Sequence, residues 1–486
     1  MRARRENGMT EVHVRSADRR TFLTLVGASA AAGLLAACAP SVPTTAPVSP
    51  TVAAPTAPAA AKPAPAGASS ATAAATAAPP AGSTASAKAP TPLSGSLTVL
   101  IHPTLYAATG DKDGLIARFA QENGITVDVV TAQTADIRTK ILVEGAARSG
   151  RLDTYVVQDV WMNDQLTPFL EPLDTYVAAA DTAYNKDDFI PSLVKAYQVP
   201  RGTGTRYAMP FRTGTAMFYY RKDLLQQAGI TPPTNWDEFA SAAEKLTTNG
   251  VFGVAEDLAP TGNTLLRIQY AFGAKFLSDD ATQCIINSPE GVAGLELVSR
   301  MYQSGWMDKE ALTWERDPVI ASLQQGRAAM TINYSPYWGR LIDPAGGPGA
   351  GQMGWSVVPT TPGVTKGRTI DDGWGWAIDK NSKNKTAAWA LTQFMTNIAS
   401  QLDMALHFAN GPTRSSVYQA PDYASQFPLS KDWLVATAAS EFLPPHPKWP
   451  NMLEIYNGEA TNAFQGKKTA RQALDDAKGR ITPLLT

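Results

Sequence analysis

The stretch Tyr207–Leu246, YAMPFRTGTAMFYYRKDLLQQAGITPPTNWDEFASAAEKL, changes character midway, and that change narrows the folds open to the chain. Met217, Phe218, Tyr219 and Tyr220 form a short, unbroken, aromatic-rich run that ends at Arg221-Lys222-Asp223. Such a run reads as a buried strand. Pro232-Pro233 then breaks the chain, and Thr234 or Asn235 can cap a helix, with Glu238 at capping-box spacing from Asn235. Trp236, Phe239, Ala240, Ala243 and Leu246 recur on one helical face. Strand, break and amphipathic helix make one unit of an α/β protein.

Upstream the same alternation repeats. Leu97–Ile101, Ile125–Val130 and Tyr155–Val157 read as strands, with helical faces between them at Leu115, Ile116, Phe119 and Ala120 and at Ile137, Ile141 and Leu142. This β-α-β-α-β order predicts a parallel sheet. Ligands of open α/β sheets lie beyond the carboxyl ends of the strands. His102 follows the first strand; Asp159, with Trp161 beside it, follows the third. A carboxylate can accept two hydroxyl hydrogen bonds, and an indole face packs on the C–H face of a pyranose. Each has a structural alternative: a turn cap for Asp159, core packing for Trp161, a cap or surface position for His102.

A single core stops growing at about 250–300 residues, so a 486-residue chain with 44% hydrophobic residues should divide into at least two lobes. A net charge of −1 with no basic stripe argues against nucleic acid as a partner. Two cysteines, Cys38 and Cys284, cannot form a disulfide framework, and Cys284 reads as a buried free thiol. H-E-x-x-H, P-loop and G-x-S-x-G motifs do not occur, so no metal or cofactor is expected.

Residues 1–38 read as an export signal rather than as structure. Arg2, Arg4, Arg5 and Arg15 make it basic, and Arg19-Arg20-Thr21-Phe22-Leu23 resembles the twin-arginine motif, with Asp18 and Thr24 departing from its usual Ser and Lys. Leu35-Ala36-Ala37-Cys38 resembles a lipobox, which implies lipidation of Cys38 and a membrane anchor. Residues 39–94 are Ala, Pro, Thr and Ser with almost no large apolar residue, the composition of a disordered tether. As coil its ends would lie about 40 Å apart, and as polyproline II about 170 Å.

The literal string of the opening stretch resembles the extracellular solute-binding protein family, the sugar-binding subunits of ABC importers, whose members carry segments of the type Y-x-(I/V)-P-F … YYRKDLLEKAGI … TWDEF. Here stand Tyr207-Ala208-Met209-Pro210-Phe211, Tyr219–Leu225, Ala228-Gly229-Ile230 and Trp236–Phe239. Further likenesses are Leu170–Tyr176, read as a structural loop, and Ala329–Asn333, similar to maltose-binding proteins. There Tyr-Ser-Pro-Tyr-Trp replaces Gly-Pro-Trp, leaving open whether Tyr337 or Trp338 stacks on sugar. Asp371-Asp372-Gly373-Trp374 resembles the family's G-G-W, with Asp372 in place of a glycine, and Asn410–Arg414 resembles its G-x-x-P-x-R loop.

The resemblance implies a two-lobed periplasmic-binding-protein-like fold (type II) with a hinge and an interlobe cleft. Lobe one would span 95–214 and 375–420, and lobe two 215–374 and 421–486. His102, Asp159, Trp161, Arg212, Tyr337, Trp338, Asp372, Trp374 and Arg414 would line the cleft. The implied function is capture of a carbohydrate, an oligosaccharide above all, by a monomer anchored outside the cytoplasmic membrane, and delivery to an ABC permease. Alternatives are a glycerophosphodiester binder, for which Arg206, Arg212 and Arg414 would serve, a surface adhesin or sensor, and a secreted polysaccharide-acting enzyme using Asp159 and Asp372 as paired carboxylates.

Overall fold

The computed structural model describes residues 93–485, save 249, 261 and 409, together with the strand Val14–Ser16. The lipobox, the twin-arginine motif and the 39–92 part of the tether lie outside the described residues.

Two sheets divide the work. The first has six strands in the order β1-β3-β2-β4-β12-β7: β1 Val14–Ser16, β2 Ser96–Ile101, β3 Thr126–Thr131, β4 Thr154–Gln158, β7 Ala208–Arg212 and β12 Trp374–Ile378. Strands β2, β3 and β4 are parallel, as the alternating pattern predicts, while β12 runs antiparallel to both β4 and β7. Strand β1 falls inside the stretch read as an export signal and pairs parallel to β3 at three residues. A small hairpin, β5 Gln198–Val199 and β6 Thr205–Arg206, precedes β7. The second sheet, β11-β8-β10-β9, joins β8 Ala216–Arg221, β9 Phe252–Val254, β10 Ala328–Tyr334 and β11 Met353–Ser356.

The aromatic run is β8, central in its sheet and paired on both sides, which is why it carries no polar alternation. The helix after the Pro-Pro break spans Trp236–Leu246. Asn235 caps it by accepting from the Glu238 N–H at 3.0 Å, while the Glu238 carboxylate turns back to the Thr234 N–H at 2.8 Å, one residue beyond the expected reciprocal partner. Its apolar face packs Phe239 on Phe218, and Trp236 stacks on Phe272 with ring centroids 4.7 Å apart.

Each sheet has its own core. One core takes its residues from Leu97–Phe211 and Trp374–Met404; the other runs from Ala216 to Ile370 and from Ala405 to Ile481, with Ile190 and Leu193 added. The chain therefore crosses between lobes at 212–215, at 371–373 and near 404–405. Two expected boundaries shift. Trp374 belongs to lobe one, because it opens β12 in the first sheet. Ala405, Val417 and Tyr418 pack into lobe two, ahead of the expected change at 420. Cys284 is buried in lobe two as a free thiol.

The interlobe cleft as candidate binding site

The carboxyl ends of β2, β4 and β7 and the start of β12 meet along one edge of the first sheet, and the crossings run beside that edge. Asp371 ties the crossings together. Its carboxylate accepts from the hydroxyls of Thr213 and Thr215, the latter at 2.6 Å, and the Thr215 and Thr437 hydroxyl oxygens lie 3.1 Å apart. The Asp372 N–H donates to the Gly214 carbonyl and the Thr213 N–H to that of Gly411, so the first two crossings and the loop that follows the third share one hydrogen-bonded junction. Burial pushes Asp371 up to about 6 against those hydroxyl bonds.

At the lobe-one edge, Trp374 pairs in register with Gln158 and Arg212. Its ring lies 5.7 Å from Trp161, edge to face, and 5.9 Å from His102. His102 caps the short helix that follows β2, and its ring contacts Thr104 at 2.8 Å and Gln133 at 3.2 Å. Burial lowers its pKa, with the charges of Arg212 and Arg316 acting the same way and the Gln133 bond opposing them. Two glycines let the chain fit here. A Cβ on Gly373 would stand 2.8 Å from Asp371 Oδ1, and one on Gly375 would stand 2.6 Å from the Tyr197 ring.

From lobe two come Tyr337, just after β10, and Arg316, whose guanidinium lies 5.2 Å from the centre of the Tyr337 ring. Asp372 sits between the lobes. One of its oxygens accepts from Gln158 at 3.4 Å; its charge neighbours are Arg212, Arg316 and Arg267. Burial raises Asp372 and lowers Arg212, each opposed by the other's charge. His102, Trp161, Arg212, Tyr337, Asp372 and Trp374 thus come together.

Three of the expected residues do not line the cleft. Asp159 is only 2% exposed; its carboxylate lies beneath the edge, 3.8 Å from Arg201, too long for a hydrogen bond. Burial pushes it up to about 8, with Arg201 pulling the other way. A carboxyl so placed cannot present two acceptors to a sugar, nor serve as one of two carboxylates across a glycosidic bond. Trp338 is a core residue, stacked on Tyr219 at 5.9 Å and edge-on to Trp355 at 5.1 Å. Arg414 is fully buried, donating to the carbonyls of Thr396 and Asn185 at 2.9 and 2.5 Å, with Phe189 and Tyr184 against its guanidinium.

Sequence reasoning missed Arg316, Arg201, Asp371 and Tyr334. Asp371 had a signal, since it adjoins Asp372 at a crossing; Arg201, on a hairpin turn, had none. Arg201 donates to the Phe442 and Leu443 carbonyls at 3.3 and 3.0 Å and so reaches from lobe one to lobe two. In the lobe-two wall, Arg267 is fully buried, bonded to Asp257 at 2.6 Å and Asn333 at 3.1 Å, beneath the Tyr334 ring. Glu256 beside it gives one oxygen to the Ile332 N–H at 2.6 Å and is pushed up to about 8 by burial.

Two α/β lobes joined by three hydrogen-bonded crossings, with polar and aromatic side chains from both facing one cleft, define a two-lobed solute-binding protein. The chain belongs to the bacterial extracellular solute-binding protein family, whose model matches residues 106–402, more than half of it. Among its relatives is a probable ABC transporter-binding protein of Deinococcus radiodurans, 25% identical over 64% of this chain and 74% of the relative. The erythritol/L-threitol-binding protein of Mycolicibacterium smegmatis is 24% identical over 62% of this chain and 67% of its own length. The maltose-bound MalE3 of T. maritima shares the fold with a TM-score of 0.68, at 23% identity, covering 80% of this chain and all of that one.

Proposed function

We propose that this chain is the substrate-capturing lipoprotein of an ABC importer, that its solute is a carbohydrate or polyol, and that closure of the two lobes holds it. The observation that carries this reading is the meeting of Trp374, Arg212 and Asp372 with Tyr337 and Arg316 around one cleft, from opposite lobes. Aromatic faces suit the apolar face of a sugar, while Asp372, Gln158 and His102 suit its hydroxyls. A ligand touching both walls favours the closed arrangement by its differential contacts, and the crossings are the hinge. A relative named for erythritol and L-threitol and a neighbour holding maltose support a polyhydroxylated solute. Lipid on Cys38 would hold the head at the outer face of the cytoplasmic membrane, as a monomer on its tether, within reach of a permease.

A thermal-shift screen of the full chain against sugars, oligosaccharides and polyols tests the reading. A true ligand at a hundred times its dissociation constant should stabilise the fold by about 2.7 kcal/mol and be recovered unchanged. Turnover of the ligand, or no shift across the panel, would overturn it.

A further inference from the structure

Four guanidinium groups stand in or beneath the cleft, and two of them are occupied. Arg201 has Asp159 and two carbonyls; Arg267 has Asp257 and Asn333. Arg212 and Arg316 differ. Among the described residues neither guanidinium forms an ion pair or a hydrogen bond to an oxygen acceptor, whereas an unpartnered buried Nε is common to Arg201, Arg212 and Arg267. Arg316 lies against Tyr337. The acids beside it in sequence do not hold it: Asp317 is paired with Arg340 at 2.8 Å, and Glu315 forms no ion pair. The one carboxylate facing both arginines is Asp372, which lies beyond ion-pair distance of each and takes a bond from Gln158.

Two guanidinium groups on opposite lobes face one shared carboxylate, and Asp371, the other acid near Arg212, is already held by the Thr213 and Thr215 hydroxyls. The buried, unbonded Nε of the half-buried Arg212 is costly, and the exposed Arg316 guanidinium repels it as the lobes close. An anion between them would remove both costs, and the planar fork of arginine matches a carboxylate or phosphate in two-point fashion. From Arg212 and Arg316 we infer that the solute is an acidic sugar or polyol, carrying one carboxylate or phosphate that bridges the two lobes, while its hydroxyls meet Asp372 and His102. This inference rests on the solute-binding reading and sharpens it. It assigns Arg212 and Arg316 the discrimination between charged and neutral sugars.

The test is calorimetric titration of the full chain with matched pairs: glucuronate against glucose, galacturonate against galactose, and sn-glycerol 3-phosphate against glycerol. The acidic member of at least one pair should bind at least tenfold tighter than its neutral counterpart, with affinity falling as salt rises. The uronates and the phosphate separate the two sources of charge. Arg316→Gln, at an exposed position, should bring the affinity of the acidic member down to that of its neutral counterpart, and Arg212→Gln should do the same. Equal or tighter binding of the neutral members overturns the inference, as does a preference untouched by Arg316→Gln, or a panel in which no acidic member binds. The solute-binding reading falls separately, only if the neutral sugars and polyols fail as well.

Discussion

Trp374 and Trp338 occupy comparable points of the two sheets, one opening β12 and the other closely following β10, and both are nearly buried, at 6% and 4% exposure. Their neighbours set them apart. Trp374 meets Trp161 and His102 at an edge where Arg212 and Asp372 stand with few bonds of their own. Trp338 is wedged among Tyr219 and Trp355, its buried Nε1 without a hydrogen-bond partner among the described residues. Arg212 and Arg414 repeat the contrast. Each ends or follows an extended segment beside a crossing, yet the Arg414 guanidinium donates to two carbonyls inside an aromatic sandwich, while that of Arg212 has neither an ion pair nor a carbonyl acceptor among the described residues. What sets the binding wall apart is its place at strand ends beside the crossings, since buried polar atoms without partners occur in the core as well.

Substitutions can break or sharpen this contrast. The largest effect should come from Arg414→Ala, which strands the carbonyl of buried Thr396 and that of Asn185 and empties an aromatic sandwich. We expect a loss of about 4–5 kcal/mol in denaturant unfolding, with ligand affinity unchanged wherever the chain still folds. Trp338→Ala should cost about 3–5 kcal/mol of stability and again leave affinity alone; a specific affinity loss there would restore it to the cleft.

Acidity offers a further lever. Asp159 and Glu256 are raised to about 8 and Asp371 to about 6, all by burial. Between about pH 4, where the unfolded carboxyls titrate, and those values, the folded chain holds more protons than the unfolded one. Stability should therefore fall as pH rises from about 4 to 8, most of it from Asp159 and Glu256, and Asp159→Asn should flatten the profile. Chemical unfolding across that range checks the sign, and stability rising with pH would refute it.

Trp374→Ala should weaken ligand binding at least tenfold, about 1.4 kcal/mol, beyond anything its stability loss explains, as calorimetry at a temperature well below its melt would show. The smallest effect belongs to Asn235→Ala, which removes one helix cap and should cost about 1 kcal/mol with no change in affinity.

Much of this was legible in the chain. The β-α-β-α-β order, the aromatic strand at 217–220, the helix face from Trp236 to Leu246 and the buried Cys284 follow from period and composition, which local physics controls. The site was legible in part. His102, Trp161, Arg212, Tyr337, Asp372 and Trp374 come together at strand ends and crossings, where topology puts them. What was not legible depends on partners distant in sequence. Nothing near Asp159 announces Arg201, 42 residues on, and nothing near Arg414 announces Phe189 and Asn185. Arg316 heads an ordinary helix and gains meaning only from Tyr337 beside it. The reading of Asp159 as a sugar acceptor failed because burial, which a linear pattern does not display, decides whether a carboxylate is available.

The central claim is that ligand sits between the lobe-one edge and Tyr337, not in the aromatic block around Trp338. A crystal structure of the full chain with the solute that most raises its melting temperature tests this most directly. The account predicts the ligand in contact with Trp374 and Arg212 from lobe one and with Tyr337 from lobe two, and Trp338 still stacked on Tyr219. A ligand seated elsewhere, or Trp338 turned out to cover it, would contradict the account.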